Sequence, residues 1–322
     1  MNEQVVAGID IGGTKIAIAF ENRSRERIAA RRLPTQTELG PDRILENVCR
    51  TVEELIAETG AQLTSIGVGC PGPIDIARGL VLSPANLPDW VEFPIVRILE
   101  KRFGVPVSLD NDANAAALGE YFYGAGRGFK DLFYVTISTG IGGSIICGGQ
   151  IHHGVQAGAG EVGHTIVDTN GVLCRCGIRG CFETIASGTG IARRMREKLA
   201  AHSGGAAAGE LDKITAETVV ELVRNGDPAA REIWDETIKY LAIGLGNAIT
   251  LIAPEAVVIG GGVAEAGELL FAPLRLAIAK NVSMVPIEKV QILRASLGSE
   301  SGVCGALMLA QRGLKAREEN VY

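Results

Sequence analysis

Two glycine-rich segments with the same plan constrain the fold of this chain most. Val5 to Phe20 has the pattern of a strand, a Gly-Gly-Thr turn and a second strand, and Leu132 to Cys147 repeats it about 128 positions later. Glycine, hydroxyl and backbone N–H groups in such turns can form an anion-binding nest. The first segment lacks the Gly-x-x-x-x-Gly-Lys spacing of a Walker loop, and its alternating apolar residues predict a strand. Either segment alone could be an ordinary turn. Together they predict a duplicated fold with one phosphate-binding loop in each half.

A second feature is a short segment rich in metal-binding side chains. It places the imidazole of His164 near the thiols of Cys174, Cys176 and Cys181. Four ligands of the Cys3His kind close a tetrahedral zinc site, so we expect a structural zinc ion. The alternative is a disulfide or scattered core thiols, but Cys-x-Cys is geometrically poor for a disulfide. Two carboxylates, Glu161 and Glu183, flank the segment.

Composition limits the class of protein. The chain has 322 residues, 47% of them hydrophobic and 21% charged, which suits a globular protein of two domains. A net charge of −6 argues against a nucleic-acid partner that is bound by charge alone. We find neither a signal peptide nor an apolar run long enough to span a membrane. The four remaining cysteines suit reduced core thiols, and we expect a cytoplasmic protein; these are Cys49, Cys70, Cys147 and Cys304.

The remaining patterns alternate between helix and strand. The predicted strands are Ser65–Cys70, Val105–Leu109 and Ala256–Gly260, and the predicted helices are Asp42–Thr59, Ala113–Tyr123 and Ser301–Gly313. Residues Ala200–Gly209 are rich in glycine, alanine and serine, and they predict a flexible connection. The triple glycine after Ile259 would let the backbone approach a flat ligand such as a nucleotide.

In their order along the chain, these motifs resemble those of the ROK family of repressors, open reading frames and sugar kinases. They are Asp10-x-Gly-Gly-Thr-Lys, Asp110-Asn-Asp-Ala-Asn, Thr139-Gly-Ile-Gly-Gly, Glu161-Val-Gly-His, Cys174-x-Cys-Gly-x-x-Gly-Cys-x-Glu and Gly260-Gly-Gly. The resemblance implies an α/β fold of the actin, Hsp70 and hexokinase kind (ribonuclease H-like), with two duplicated domains facing a cleft. We expect a small domain over 1–117, completed by a returning helix at 303–322, and a larger domain over 118–302 with the zinc-binding loop.

The activity that the resemblance implies is ATP-dependent phosphorylation of a hexose at its 6-hydroxyl, with glucose as the first choice. Asp112 would be the catalytic base. It follows a strand and begins a helix, where the positive end of the helix dipole favours a carboxylate. Phosphoryl transfer has a loose transition state, so even a weak base can accept the late proton. The alternative role for this carboxylate is a helix cap.

The resemblance also assigns binding residues. The sugar contacts would be Asn86, Asn111, Asp112, Glu161, His164 and Glu183. ATP phosphates would be held by Asp10, Gly12, Gly13, Thr14 and Lys15 together with Thr139 and Gly140, and adenosine would lie against Gly261 and Gly262. Asp10 would hold Mg²⁺ through water, and the zinc ligands would be His164, Cys174, Cys176 and Cys181. Homodimers or homotetramers are expected, without a membrane or nucleic-acid partner.

Other readings remain open. The substrate could be N-acetylglucosamine, N-acetylmannosamine, mannose or fructose. A repressor of this family would carry a helix-turn-helix before the first hairpin, which begins here at Val5. A non-catalytic sugar sensor would be expected to lose the base, whereas Asp112 is present.

Overall fold

In this computed structural model the chain is described over residues 3–84, 86–202 and 211–319. The strands are β1 (Gln4–Ile11), β2 (Lys15–Asn22), β3 (Arg27–Pro34), β4 (Gln62–Cys70), β5 (Ile74–Asp75), β6 (Leu80–Val81), β7 (Val107–Asn111), β8 (Leu132–Ile137), β9 (Ile141–Cys147), β10 (Gln150–Ile151), β11 (Ala256–Gly260) and β12 (Gln291–Arg294). The helices are α1 (Pro41–Thr59), α2 (Ile95–Phe103), α3 (Asp112–Tyr123), α4 (Phe182–Ala186), α5 (Gly188–His202), α6 (Ala216–Arg224), α7 (Pro228–Ile252), α8 (Glu268–Asn281) and α9 (Ser301–Glu319).

The chain forms two compact units. Unit 1 comprises Met1–Arg127, Ile151–Ala159 and Ser299–Tyr322, and unit 2 comprises Gly128–Gln150 and Gly160–Gly298. These bounds differ from the expected 1–117 and 118–302. Helix α3 continues without a break to Tyr123, so a boundary at 117 would cut it. The segment Ile151–Ala159 also lies with unit 1, which no local pattern in the sequence indicated.

Unit 1 is built on a five-stranded mixed sheet in the order β3-β2-β1-β4-β7. The hairpin β1–β2 is antiparallel, whereas β1–β4 and β4–β7 are parallel. Both faces of the central strands are covered. One face packs with α1 and α2 in a large apolar core, and the other packs Val6, Ala17 and Ala19 against α9.

Small residues let the helices of unit 1 approach closely. A Cβ atom on Gly305 of α9 would overlap the carbonyl oxygen of Ala115 in α3, and one on Gly67 of β4 would overlap that of Ala306. Only glycine allows backbones to approach so closely. The chain's last helix therefore packs tightly against both α3 and the middle of the sheet.

Unit 2 has a second five-stranded sheet, in the order β10-β9-β8-β11-β12. Its β8–β9 hairpin is antiparallel, and β11 runs parallel to both β8 and β12. A single apolar core includes the buried rings of Phe133, Phe182, Trp234 and Phe271. The strand order matches that of unit 1, with a hairpin in corresponding positions. The duplicated hairpin predicted from the sequence is thus present in both sheets.

Local signals explain most helix ends. Helix α1 begins with Pro41 and ends before Gly60, which has φ 64°. Helix α7 is capped by Asp227, whose side chain accepts the N–H of Ala230. Helix α5 continues to His202, so the first three residues of the expected connection Ala200–Gly209 are helical, and its remainder over 203–209 lies outside the described residues. None of the helices within the described ranges combines the length and apolar character needed to cross a membrane.

Candidate functional site

The first hairpin turn consists of Gly12, Gly13 and Thr14, between the end of β1 and the start of β2. The N–H of Gly12 donates to the carbonyl of Lys15 at 2.9 Å, and the Thr35 hydroxyl donates to the Gly12 carbonyl at 2.6 Å. These bonds fix the turn, while Thr14 and Lys15 are exposed. The turn combines a hydroxyl, an ammonium group and glycine backbone, which together suit a phosphate group.

Asn86 lies directly on this turn. A Cβ atom on Gly13 would be 3.1 Å from the Cβ of Asn86. Asn86, which the resemblance assigned to the sugar, and Gly13, which it assigned to phosphate, are therefore neighbours in unit 1. This is the arrangement that transfer of a phosphoryl group to a sugar would need.

Asn111 and Asp112 mark the junction between β7 and α3. Asn111 is the N-cap, because its Oδ1 accepts the N–H of Ala113 at 2.8 Å. Asp112 is the first helical residue, and its Oδ1 accepts the same N–H at 2.8 Å. The capping role left open for an aspartate is thus filled by Asn111, although Asp112 contributes a bond. The Nδ2 of Asn111 faces Gly72, where an added Cβ would lie 3.0 Å away.

Asp10 stands close to Asp112 at the same edge of the sheet. A Cβ atom on Gly69 would lie 3.7 Å from Oδ1 of Asp10 and 3.9 Å from Cα of Asp112. Burial raises the pKa of Asp10 to about 7, the charge of Asp112 adds to the rise, and Lys15 opposes it. A carboxylate pair with so little compensating charge suits a divalent cation, which would favour the ionised form of both groups.

The second hairpin turn, in unit 2, is held by a different set of contacts. The Ser138 N–H donates to the Gly140 carbonyl at 2.9 Å, and the Thr189 hydroxyl donates to the Thr139 carbonyl at 2.7 Å. The carboxylate of Glu183 lies against the turn: its Oε2 accepts the N–H of Ile141 at 2.9 Å. A Cβ atom on Gly140 would overlap that oxygen. Glu183, assigned to the sugar, is thus also a fixed part of the second turn.

The imidazole and thiols of the metal-binding segment come together. One ligand atom from each of His164, Cys174, Cys176 and Cys181 lies within 4.8 Å of all the others. The Cys174 Sγ to His164 Nδ1 distance is 3.7 Å, and the Cys176 Sγ to Cys181 Sγ distance is 3.5 Å. Ligands about 2.0 to 2.3 Å from a tetrahedral zinc ion are about 3.4 to 3.8 Å apart. The Cys3His donor set therefore fits zinc in its chemistry, and these two ligand pairs have the spacing that zinc needs.

Glu161 lies near the other side of His164. Its Oε2 lies 4.0 Å from Nε2 of His164, while Nδ1 faces the thiols. A carboxylate behind a metal-binding imidazole favours the tautomer whose free nitrogen carries the proton. Within unit 2, Glu161 and His164 are adjacent, and Glu183 is tied to the same segment through its neighbour Cys181.

Two glycines follow β11, and one of them, Gly262, borders a cavity of about 360 Å³ in unit 2. Gly261 has φ 85°, and an added Cβ would overlap the carbonyl of Ile137. Gly262 lines the cavity together with Thr139, so two residues that the sequence assigned to nucleotide share one space. The side chains of Arg196 and Glu217 line it as well, and sequence reasoning did not include them.

Gly302 is a further residue that sequence reasoning missed. It lies at the start of α9, and a Cβ atom there would overlap the carboxylate of Asp10. Contact between the two ends of the chain leaves no local pattern, although the small-residue composition of this helix is visible in the sequence. Glycine at this position is therefore required by the Asp10 carboxylate.

A family model described as the ROK family matches residues 6–313. The chain belongs to the ROK family. It is 34% identical to the glucokinase of Halalkalibacterium halodurans over 326 residues, which cover 99% of this chain and 98% of that protein. It is 32% identical to an N-acetylmannosamine kinase of Escherichia fergusonii, with 94% of this chain and 97% of that protein covered.

A crystal structure of a ROK family glucokinase from Streptomyces griseus, in complex with glucose and AMPPNP, is similar to this fold. The identity is 34%, the TM-score is 0.80, and the match covers 96% of this chain and 99% of that one. This ROK-family chain has the predicted α/β fold of the actin and hexokinase kind, with one mixed sheet in each unit. Both the family and the fold class inferred from the motifs are thereby confirmed.

Proposed function

We propose that this ROK-family protein is an ATP-dependent sugar kinase that phosphorylates glucose at its 6-hydroxyl. The observation that carries the proposal is the position of Asp112. It begins α3 beside Asp10, at the sheet edge that also ends in the Gly12–Thr14 turn. A proton acceptor is therefore next to groups that suit phosphates and a cation. The names of the relatives support the same reaction.

In the proposed reaction the oxygen at C6 of the sugar attacks the γ-phosphorus of ATP. The bond from that phosphorus to the β–γ bridging oxygen breaks, ADP leaves, and Asp112 accepts the hydroxyl proton. Positioning and electrostatic stabilisation supply most of the rate enhancement in such reactions. The Asp112 Oδ1 is held by the Ala113 N–H, which fixes the orientation of the carboxylate.

Asp10 would hold magnesium through water, and the cation would supply neutralisation of the phosphate charge. The backbone of Gly12 and Gly13, the hydroxyl of Thr14 and the ammonium of Lys15 would contact phosphate oxygens. Thr139 and Gly140 are also proposed to contact the phosphates of ATP. The cavity lined by Thr139 and Gly262 supports adenosine binding there.

His164, Cys174, Cys176 and Cys181 would hold a structural zinc ion. With four protein ligands no position is open for substrate, so the ion would act by fixing the segment that carries Glu161 and Glu183. Asn86, Asn111, Glu161, His164 and Glu183 are proposed to hydrogen-bond the sugar hydroxyls. A sensor without activity is the less favoured alternative, since such a protein would be expected to lose the base, whereas Asp112 is present.

A substrate panel tests the proposal. The purified protein would be assayed for ATP consumption with glucose, mannose, fructose, N-acetylglucosamine and N-acetylmannosamine, and the phosphorylated carbon would be located by NMR. The same panel with Asp112→Asn removes the contribution of contaminating kinases. We expect glucose to give the highest kcat/KM and a product phosphorylated at C6. A preference of about tenfold for another sugar would reassign the substrate, and sugar-independent ATP consumption would reject the function.

Light scattering of the same sample would test the expected homodimer or homotetramer.

A further inference from the structure

The proposed mechanism does not use His153, a half-buried histidine that contacts the strand leading to the base. Its Nε2 lies 2.7 Å from Oδ2 of Asp110, although the two residues are 43 positions apart. The segment Ile151–Ala159 lies between two stretches of unit 2 along the chain, but it is part of unit 1. This segment places the imidazole of His153 next to Asp110. The Asp110 side chain is buried, with only 4% of its surface exposed. A hydrogen bond to a buried carboxylate is among the stronger polar contacts in proteins.

Asp110 is held on its other oxygen as well. Its Oδ1 accepts the side-chain N–H of Asn114 at 2.8 Å and the backbone N–H of Asn111 at 2.8 Å. Both oxygens therefore have partners, and His153 provides the contact to Oδ2. The residues that follow Asp110 are Asn111, the cap of α3, and Asp112, the proposed base. A shift of Asp110 would move the bond to Asn111 and with it the start of the helix.

The surroundings of His153 are open on one side. The ring borders a cavity of about 490 Å³ in unit 1, whose other walls include Ile74, Ile76 and Leu82. The bond to Asp110 raises the pKa of His153, while burial and Arg312 oppose the rise. One acidic residue, Asp75, lines the cavity. An imidazole serving only as apolar packing would not need a buried carboxylate partner or an open cavity on its other side.

We propose that His153 is a positioning residue for the sugar kinase reaction, acting by holding Asp110 so that Asn111 and Asp112 keep their orientation. This inference rests on the proposed function. A displacement of about 1 Å in a reacting group can cost about 100-fold in rate. Because Asp110 keeps its two other partners, we expect the loss of His153 to lower kcat by on the order of 10-fold to 100-fold, with a change in sugar KM below about threefold.

Three variants test the role in the full-length enzyme. His153→Phe keeps the ring shape without a donor, and His153→Gln keeps an N–H donor. His152→Phe makes the same change at the exposed neighbour in the same segment. We expect Phe at 153 to lower kcat, Gln to retain most of it, and the change at 152 to have no effect. Thermal unfolding of each variant would establish that the compared proteins are folded.

Chemical rescue provides a second and independent readout. In His153→Ala the adjoining cavity is large enough to admit free imidazole, which can donate to Asp110. Imidazole should restore kcat in a saturable manner, whereas thiazole, which has a similar shape but no N–H, should not. A kcat for His153→Phe within about twofold of wild type would overturn the inference. A loss that neither Gln nor imidazole restores would also overturn it.

Failure of the proposed function would look different. It would appear in the wild-type protein as the absence of sugar phosphorylation across the whole substrate panel. In that case crystal structures of wild type and His153→Phe still decide the inference. Displaced Asp110 and Asp112 side chains in the variant would support the positioning role, and unchanged side chains would reject it.

Discussion

The two hairpin turns share a backbone plan but differ in what surrounds them. The turn of unit 1 follows Asp10, whose pKa is raised to about 7, and carries the exposed Lys15. The turn of unit 2 lies against the carboxylate of Glu183, which accepts the N–H of Ile141. The first turn is thus flanked in sequence by an aspartate and a lysine. The carboxylate at the second turn instead comes from Glu183, two residues after the metal-binding Cys181.

The two turns therefore share a backbone plan but contact different side chains. In each unit a glycine leaves room for a carboxylate near the turn. Gly302, at the start of α9, leaves room for Asp10, and Gly140, in the second turn, leaves room for Glu183 of α4. The two hairpins have the same backbone arrangement, and they differ in the side chains that lie against them. We therefore expect a substitution of Asp112 to affect the chemical step, one beside Asp10 to affect MgATP, and one in the metal-binding segment to affect mainly the sugar and the metal.

The largest effect is expected at the proposed base. Asp112→Asn should lower kcat by about 100-fold to 10,000-fold while sugar binding stays within a few-fold, since the amide cannot accept the proton. Steady-state kinetics and direct sugar binding would measure the two quantities. Asp42→Asn, an exposed aspartate in the first turn of α1, is the matched control and should retain full activity. A variant at 112 with more than about a tenth of wild-type kcat would remove this residue from the role.

The metal-binding segment should give the next largest effect. Cys176→Ser should lose zinc and lower kcat/KM for the sugar by about 100-fold, because Glu161, His164 and Glu183 depend on one short segment. Since Glu183 also contacts the second turn, the KM for ATP should rise by a smaller factor. Elemental analysis would measure the zinc content, and steady-state kinetics would measure kcat/KM for the sugar and the KM for ATP. Cys147→Ser, at an exposed cysteine of β9, should change neither. Normal sugar kinetics in a folded, zinc-free protein would contradict the expected link.

Gly302 tests the corresponding contact in unit 1. Alanine there would place a Cβ atom on the Asp10 carboxylate, so we expect the KM for MgATP to rise by about tenfold with little change in the KM for sugar. Gly246→Ala is the control, because this helical glycine of α7 has only ordinary contacts at 3.5 Å. Equal effects of the two alanines on MgATP would show that Asp10 tolerates the added atom.

Local patterns were sufficient for much of the fold and of the candidate site. The hairpins, α3 and the cysteine cluster are encoded in segments of about twenty residues or fewer, where spacing alone carries the signal. The bond between His153 and Asp110 and the contact between Gly302 and Asp10 join distant segments. Such contacts depend on how strands are ordered in the sheet, which hydrophobic periodicity does not report. The bounds of the two units depend on the same kind of contact between distant segments.

The smallest effect is expected from the raised pKa of Asp10. Between its ordinary pKa of 3.8 and about 7 the folded state binds more protons than the unfolded state. Stability therefore falls as pH rises through this window. Asn does not titrate, so Asp10→Asn should exceed wild type in melting temperature by a few degrees near about pH 8, and by less near about pH 6.

These melting temperatures would be measured without magnesium or nucleotide, because a bound cation would favour the ionised aspartate. Asp42→Asn, at an exposed position, is the matched control for the loss of one carboxylate. A constant difference for Asp10→Asn across the same range would mean that Asp10 does not titrate there. Added magnesium should reduce the advantage of Asn over Asp at the higher pH, which links the measurement to the proposed cation.

Helix α9 has a consequence for how the protein is made. Val303, Leu307 and Ala310 cover the apolar face formed by Val6 and the two alanines of β2. This helix follows every strand of both units along the chain, so this face of the unit 1 sheet stays uncovered until α9 has left the ribosome exit tunnel. Unit 2, which ends at Gly298, has all of its strands earlier. The nascent chain thus exposes an apolar face of the unit 1 sheet while the whole of the unit 2 sheet is synthesised, although all five strands of the unit 1 sheet are made before any of unit 2.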